Sequence, residues 1–149
     1  HIPVVSVPSL EGLAWNLAGN QAYICPLMDA RRQQAYYGIY DVSGEMPVAL
    51  VEQAAAPIEE ALSQVDRLGH PVIFIGDGVP VFRSFFDGVS VPWSVGSDAV
   101  RYQRASSVAC LGRKYFDRGK KMEAAEFAPI YLRVSQAERE RMEREKQSR

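Results

Sequence analysis

Apolar and polar positions change period several times along the chain, and each change marks an element. Leu10, Leu13, Ala14 and Leu17 fall at i, i+3, i+4 and i+7, one apolar stripe of a helix over Leu10–Ala18. Pro8-Ser9 opens that helix, with Ser9 placed to cap it, and Gly19-Asn20 stops it. Val4–Val7 before it reads as a strand. Tyr, Ile and Val then dominate up to Gln53, with turn signals at Arg31-Arg32 and Ser43-Gly44-Glu45. The pattern predicts a three-stranded antiparallel meander, Ala22–Asp29, Gln33–Asp41 and Met46–Gln53. A helix over Ile58–Arg67 starts behind Pro57 and ends at Gly69-His70-Pro71. Pro71–Ile75 carries the unbroken apolar run Val72-Ile73-Phe74-Ile75, the mark of a central strand covered on both faces. It runs into Gly76-Asp77-Gly78. A short helix (Val81–Phe86), a strand (Val89–Pro92) and a long helix (Asp98–Arg118) follow, the last capped by Ser97. In that helix Ala105, Ala109, Gly112 and Phe116 form a stripe, and its small residues would let the helix lie close on a sheet. Lys120–Phe127 is polar and loop-like, and Pro129–Arg133 is short and extended. Beyond Ser135, which opens a helix with Glu138 in a capping box, charges of both signs alternate and apolar residues almost vanish.

The resulting order, β-β-β-α-β-α-β-α, is that of an α/β ribonuclease-H-like domain. It implies a five-stranded mixed sheet with helices on both faces. The expected boundaries are 22–133 for this domain and 134–149 for a charged C-terminal helix or tail. Residues 1–21 read as an interdomain strand and helix that the unit itself does not need. Because the chain begins with His1, it reads as the second half of a two-domain protein whose N-terminal domain is absent from the chain.

Composition narrows the picture. A chain of 149 residues, 47% hydrophobic and 23% charged, suits one soluble domain with a real core. Its longest apolar run is far short of the ~20 residues that cross a bilayer, so a cytoplasmic protein without membrane contact is expected. Cys25 and Cys110 lie far apart and read as two buried thiols. Net charge is −1, but residues 1–100 carry four Lys/Arg against eleven Asp/Glu (−7), and residues 101–149 carry thirteen against seven (+6). The basic third is either a solvated helix and tail or a face for an anionic partner such as RNA. In the second case Arg113, Lys114 and Arg118 are candidate RNA-facing residues.

Catalytic patterns are absent. With only His1 and His70 available, neither a His-based triad nor a His-ligated zinc site is supported, and no metal ligand set emerges. The chain has no phosphate-binding P-loop and no G-x-G-x-x-G. Two places remain. Asp29 ends the first strand of the meander, where an acid can hold a metal-bound phosphate or pair with Arg31 to fix the turn. Gly76, Asp77 and Gly78 follow the buried strand, where glycines let a ligand or helix terminus approach the backbone.

Four segments in order resemble one family. Val5-Ser6-Val7-Pro8-Ser9-Leu10-Glu11-Gly12-Leu13-Ala14 is similar to V-x-S-L-E-A-L-A. Pro26-Leu27-Met28-Asp29-Ala30-Arg31-Arg32 is similar to P-x-x-D-A-R, Gly76-Asp77-Gly78 matches G-D-G, and Pro129-Ile130-Tyr131-Leu132-Arg133 is similar to P-x-Y-L-R. Together they resemble the C-terminal part of the bacterial TsaB (YeaZ) family, of the glycoprotease-like group in the actin-like ATPase superfamily. The resemblance implies a non-catalytic scaffold or activator subunit of the complex that makes threonylcarbamoyladenosine in tRNA. It implies a TsaD-like catalytic partner, a TsaE-like ATPase and indirect contact with tRNA, and it leaves room for a homodimer of the full-length protein. It places Asp29 and Gly76-Asp77-Gly78 at vestigial nucleotide-binding positions, with Ala30-Arg31 replacing the small, Gly-rich continuation. Tight cofactor binding by this chain is therefore not expected, and ATP belongs to the complex. Arg31, Arg32, Pro129, Tyr131 and Arg133 are the family-motif residues. The alternative is a free-standing nucleotide-dependent enzyme of the same superfamily, kinase-like or glycoprotease-like.

Overall fold

The computed structural model describes residues 2–133 and Arg144. The expected terminal helix or tail at 134–149 otherwise lies outside the described residues. The five strands are β1 (Tyr23–Asp29), β2 (Gln34–Asp41), β3 (Val48–Pro57), β4 (Val72–Ile75) and β5 (Trp93–Val95), in the order β3-β2-β1-β4-β5. The helices are α1 (Ser9–Ala14), α2 (Ile58–Leu68), α3 (Gly78–Phe82) and α4 (Ala105–Asp117). Strands β1, β2 and β3 pair antiparallel; β4 runs parallel to both β1 and β5. The five-stranded mixed sheet and its element order match the expectation.

Strand alternation divides the core into two clusters. Cys25, Leu27, Ala35, Tyr37, Ile39, Val72 and Phe74 share one cluster with Ile58, Ala61, Leu62 and Val65 of α2 and with Val79, Phe82 and Phe86. Ile24, Tyr40, Val42 and Ile75 share the other with Leu10, Leu13, Ala14 and Trp15 and with Leu111 and Tyr115 of α4. Even and odd positions of β1 and β4 thus meet different helices, which is why β4 is apolar throughout. Val72, Phe74 and Ile75 are buried and Ile73 is half-buried. The segment before β1, read as interdomain, packs its α1 side chains into this second cluster.

Six local expectations need correction. Val4–Val7 is not a strand: only Val4 pairs, in an isolated antiparallel bridge to Met122. The last strand is Trp93–Val95 rather than Val89–Pro92, because Pro92 has no N–H for a ladder and pairing begins after it. The helix expected at Val81–Phe86 starts at Gly78 and passes into a 3-10 turn over Arg83–Gly88. The long helix starts at Ala105, not Asp98. Ser97 closes one isolated turn through its carbonyl, which accepts from the Val100 and Arg101 amides. The next carbonyls are taken from outside: Asn16 Nδ2 donates to Val100 O (2.7 Å) and Tyr102 O (2.8 Å), and the Gly76 amide donates to Arg101 O (2.8 Å). A carbonyl held that way cannot propagate a helix. Finally, the small-residue stripe of α4 does not lie on the sheet; Ala105, Ala109 and Phe116 are exposed, and Leu111 and Tyr115 are buried instead. Cys110 is also exposed, whereas Cys25 is buried.

Candidate functional site

The carboxyl ends of parallel β1 and β4 bring the two candidate places onto one rim. Pro26 is in register with Ile75, so Gly76 and Gly78 follow β4 beside Leu27, two residues before Asp29. Gly76 has φ +109°, and an added Cβ there would overlap the Leu27 carbonyl, with the carbonyl carbon at 2.9 Å. A Cβ on Gly78 would lie 3.0 Å from the Leu27 oxygen. The close approach that these glycines permit is to β1 itself. Asp77 stands at the N-cap of α3 without a side-chain capping bond.

The β1–β2 turn is built against conformational preference. Arg31, Arg32 and Gln33 have φ of 64°, 54° and 58°, three successive non-glycine residues in the left-handed region. Each such residue costs about 1–2 kcal/mol. Several bonds hold them there. Asp29 Oδ1 accepts the Arg31 amide (2.7 Å) and Asp29 Oδ2 accepts from Arg31 Nη1 (3.2 Å). The Ile58 amide donates to Gln33 O (3.0 Å), and Arg133 Nη1 donates to Ala30 O (2.7 Å). Both Asp29 oxygens are therefore engaged by Arg31.

Arg133 also joins two family motifs that are far apart in sequence. It draws Pro129–Arg133 over the turn, and this segment walls a cavity of about 340 Å³ with Ser6–Leu10, Met28, Tyr36, Gln53 and Phe127. Leu132 packs on the second core cluster, whereas Ile130 and Tyr131 are exposed, Tyr131 by 84%.

The cations of the basic third have internal company. Arg113 Nε contacts both Asp117 oxygens at 2.9 Å, Arg118 Nη2 reaches Glu45 Oε2 at 3.2 Å, and Lys114 Nζ sits 5.8 Å from the centre of the Trp15 ring.

Sequence reasoning assigned no chemistry to Glu11. It sits in α1, where Tyr115 Oη donates a hydrogen bond to Glu11 Oε1. Burial raises its pKa; the Tyr115 hydrogen bond and the Lys120 ammonium oppose that rise. Burial likewise raises Tyr115, and the bond to Glu11 adds to the shift. The signal was an acid flanking an apolar stripe, but its partner lies 104 residues away. A raised carboxylate pKa means that the native state holds this proton more tightly than the unfolded chain. Stability from this group is therefore lost as pH rises from the ordinary value of 4.5 through the folded value. Tyr115→Phe removes a bond that favours the carboxylate, so it should extend that loss to higher pH. Melting curves from acid to neutral pH check this; parallel profiles for wild type and variant would contradict it.

Residues 1–141 match the family described as TsaD, tRNA N6-adenosine threonylcarbamoyltransferase. The chain belongs to this family. Within the family it is similar to the tRNA threonylcarbamoyladenosine biosynthesis protein TsaB of Bacillus subtilis (strain 168), at 30% identity over 97% of this chain and 62% of that protein. YeaZ from Pseudomonas aeruginosa superposes with a TM-score of 0.65 at 21% identity, covering 87% of this chain and 60% of that one. A structure described as an uncharacterised protein with similarity to peptidase YeaZ, also from Pseudomonas aeruginosa, gives 0.66 at 22%, covering 88% and 59%. The chain thus spans about three fifths of the length of the relatives it matches. The fold is the ribonuclease-H-like α/β unit expected from the element order.

Proposed function

We infer that this chain is part of a non-catalytic scaffold or activator subunit of the complex that makes threonylcarbamoyladenosine in tRNA. The observation that carries the reading is the state of the superfamily's nucleotide positions. Asp29 is committed to Arg31, and Gly76 and Gly78 are filled by the backbone of β1. Among the described residues no group of three His, Cys, Asp or Glu is arranged to hold a metal ion. Similarity to TsaB, inside a family described as a threonylcarbamoyltransferase, supplies the pathway.

In this reading a TsaD-like subunit carries the transfer chemistry, a TsaE-like ATPase assists, and ATP serves the complex without binding tightly to this chain. Residues 22–133 form the C-terminal domain, residues 1–21 lead into it, and a further N-terminal domain completes the subunit and offers a surface for a homodimer. No helix among the described residues is long and apolar enough to cross a membrane; the cytoplasm is part of this reading because tRNA modification is.

Reconstitution tests the reading. The full-length protein, its TsaD-like and TsaE-like partners, ATP and unmodified tRNA should yield threonylcarbamoyladenosine, scored by nucleoside analysis. Leaving out this protein should abolish the product, and the protein alone should neither turn over ATP nor cleave peptides. Turnover of ATP or peptide by the protein alone would sink the proposal in favour of a free-standing enzyme.

A further inference from the structure

We propose that the β1–β2 turn is a contact for the phosphate backbone of RNA, made through Arg32 with Arg31 and Arg133 beside it. The proposal rests on the tRNA reading above and moves the RNA contact away from Arg113, Lys114 and Arg118.

The turn asks for residues that accept positive φ, which glycine and asparagine do most readily. The chain places arginines there instead. Arg31 has an internal use through Asp29. Arg32 is exposed and forms no hydrogen bond or ion pair among the described residues. A purely structural turn would be better served by glycine at 32, so the side chain points to a use outside the fold. Residues 1–100 contain only four Lys/Arg, and two of them are adjacent here. With Arg133 bonded to Ala30 O, the turn gathers three guanidinium groups around Asp29, while Glu59 and Glu60 open α2 just beyond the Ile58 amide that meets Gln33 O. Arg113 and Arg118, by contrast, are paired with Asp117 and Glu45.

One feature favours RNA over an acidic peptide. A guanidinium's planar fork matches phosphate and carboxylate oxygens alike, so the choice falls to the aromatic neighbour. Tyr131, 84% exposed and two residues from Arg133, adds an open aromatic face on which an unstacked base can lie. Cations interleaved with an exposed aromatic suit a single-stranded or looped RNA segment.

The test uses the full-length protein assembled with its partner subunits and measures tRNA binding over a range of salt, independently of turnover. Arg32→Gly should keep or raise the thermal midpoint, because it relieves a left-handed residue. It should weaken tRNA binding by up to about tenfold. It should also lower the slope of log affinity against log salt by about one. Arg32→Lys should restore the slope. Unchanged affinity and slope in Arg32→Gly would overturn the proposal. A fall in thermal midpoint alongside the lost affinity would assign Arg32 to the fold and overturn it as well. So would a change in ATP affinity, or in assembly with the partners, at constant tRNA affinity per complex. If the wild-type protein proves dispensable for modification, the functional reading fails, and the binding measurement still decides the RNA contact.

Discussion

Gly76→Ala is expected to destabilise the domain by about 4 kcal/mol or more, enough to leave much of it unfolded. Two independent penalties meet at this position. Its φ of +109° lies where side-chain-bearing residues are strained. Its missing Cβ is the space occupied by the Leu27 carbonyl group, so a methyl there would strike backbone and not a movable side chain. Relief would require β1 and β4 to separate at the point where the sheet changes from antiparallel to parallel pairing. Gly69→Ala is the control. Gly69 ends α2 with φ +64° and open space around its Cα, so only the left-handed cost of about 1–2 kcal/mol applies. Urea unfolding of both variants reads the difference. Equal losses would mean that the contact with Leu27 imposes nothing.

That glycine also shows where sequence reasoning stopped. Gly76-Asp77-Gly78 could be placed at the end of a buried strand because Val72–Ile75 has no polar interruption. What approaches those glycines could not be read, because β1 lies some fifty residues earlier and its register appears only in the fold. The meander was legible for a simple reason: period-two alternation and turn residues are local. The start of α4 was not, since Asn16 and Gly76 take the carbonyls that would have extended it backwards. Two stripes also competed on α4. The small one, Ala105, Ala109 and Gly112, looked suited to close packing. The bulkier one, Leu111 with Tyr115, removes more apolar area from water and is the one buried.

The site was legible at its ends and not at its closure. Strand endings placed Asp29 and the glycines on one rim, and the P-x-Y-L-R segment was recognisable as a motif. The bond from Arg133 to Ala30 O spans 103 residues, so no local pattern announces that the two motifs meet. Charge counting was also a poor guide to charge availability. The basic third holds most of the cations, yet Arg113 and Arg118 are paired internally, while Arg32, in the acidic part of the chain, has no side-chain partner among the described residues.

Phe74→Ala is expected to cost about 3–5 kcal/mol, the range for deleting a fully buried aromatic ring. Phe74 lies in β4 between β1 and β5, and its ring stacks on Phe86 at 4.2 Å and tilts against Trp93 at 6.4 Å. Phe86 in turn meets Trp93 edge-on at 5.7 Å. Strand β5 has only three residues and pairs with β4 alone, so this aromatic group holds it as much as its ladder does. The loss should therefore be uneven. Hydrogen exchange should show β5 amides losing protection beyond the global change, with β2 and β3 following only the global equilibrium. Phe74→Leu keeps much of the volume and should cost less than the alanine variant. Uniform loss of protection across all five strands in Phe74→Ala would show that β5 is held by its backbone pairing and not by the ring stack.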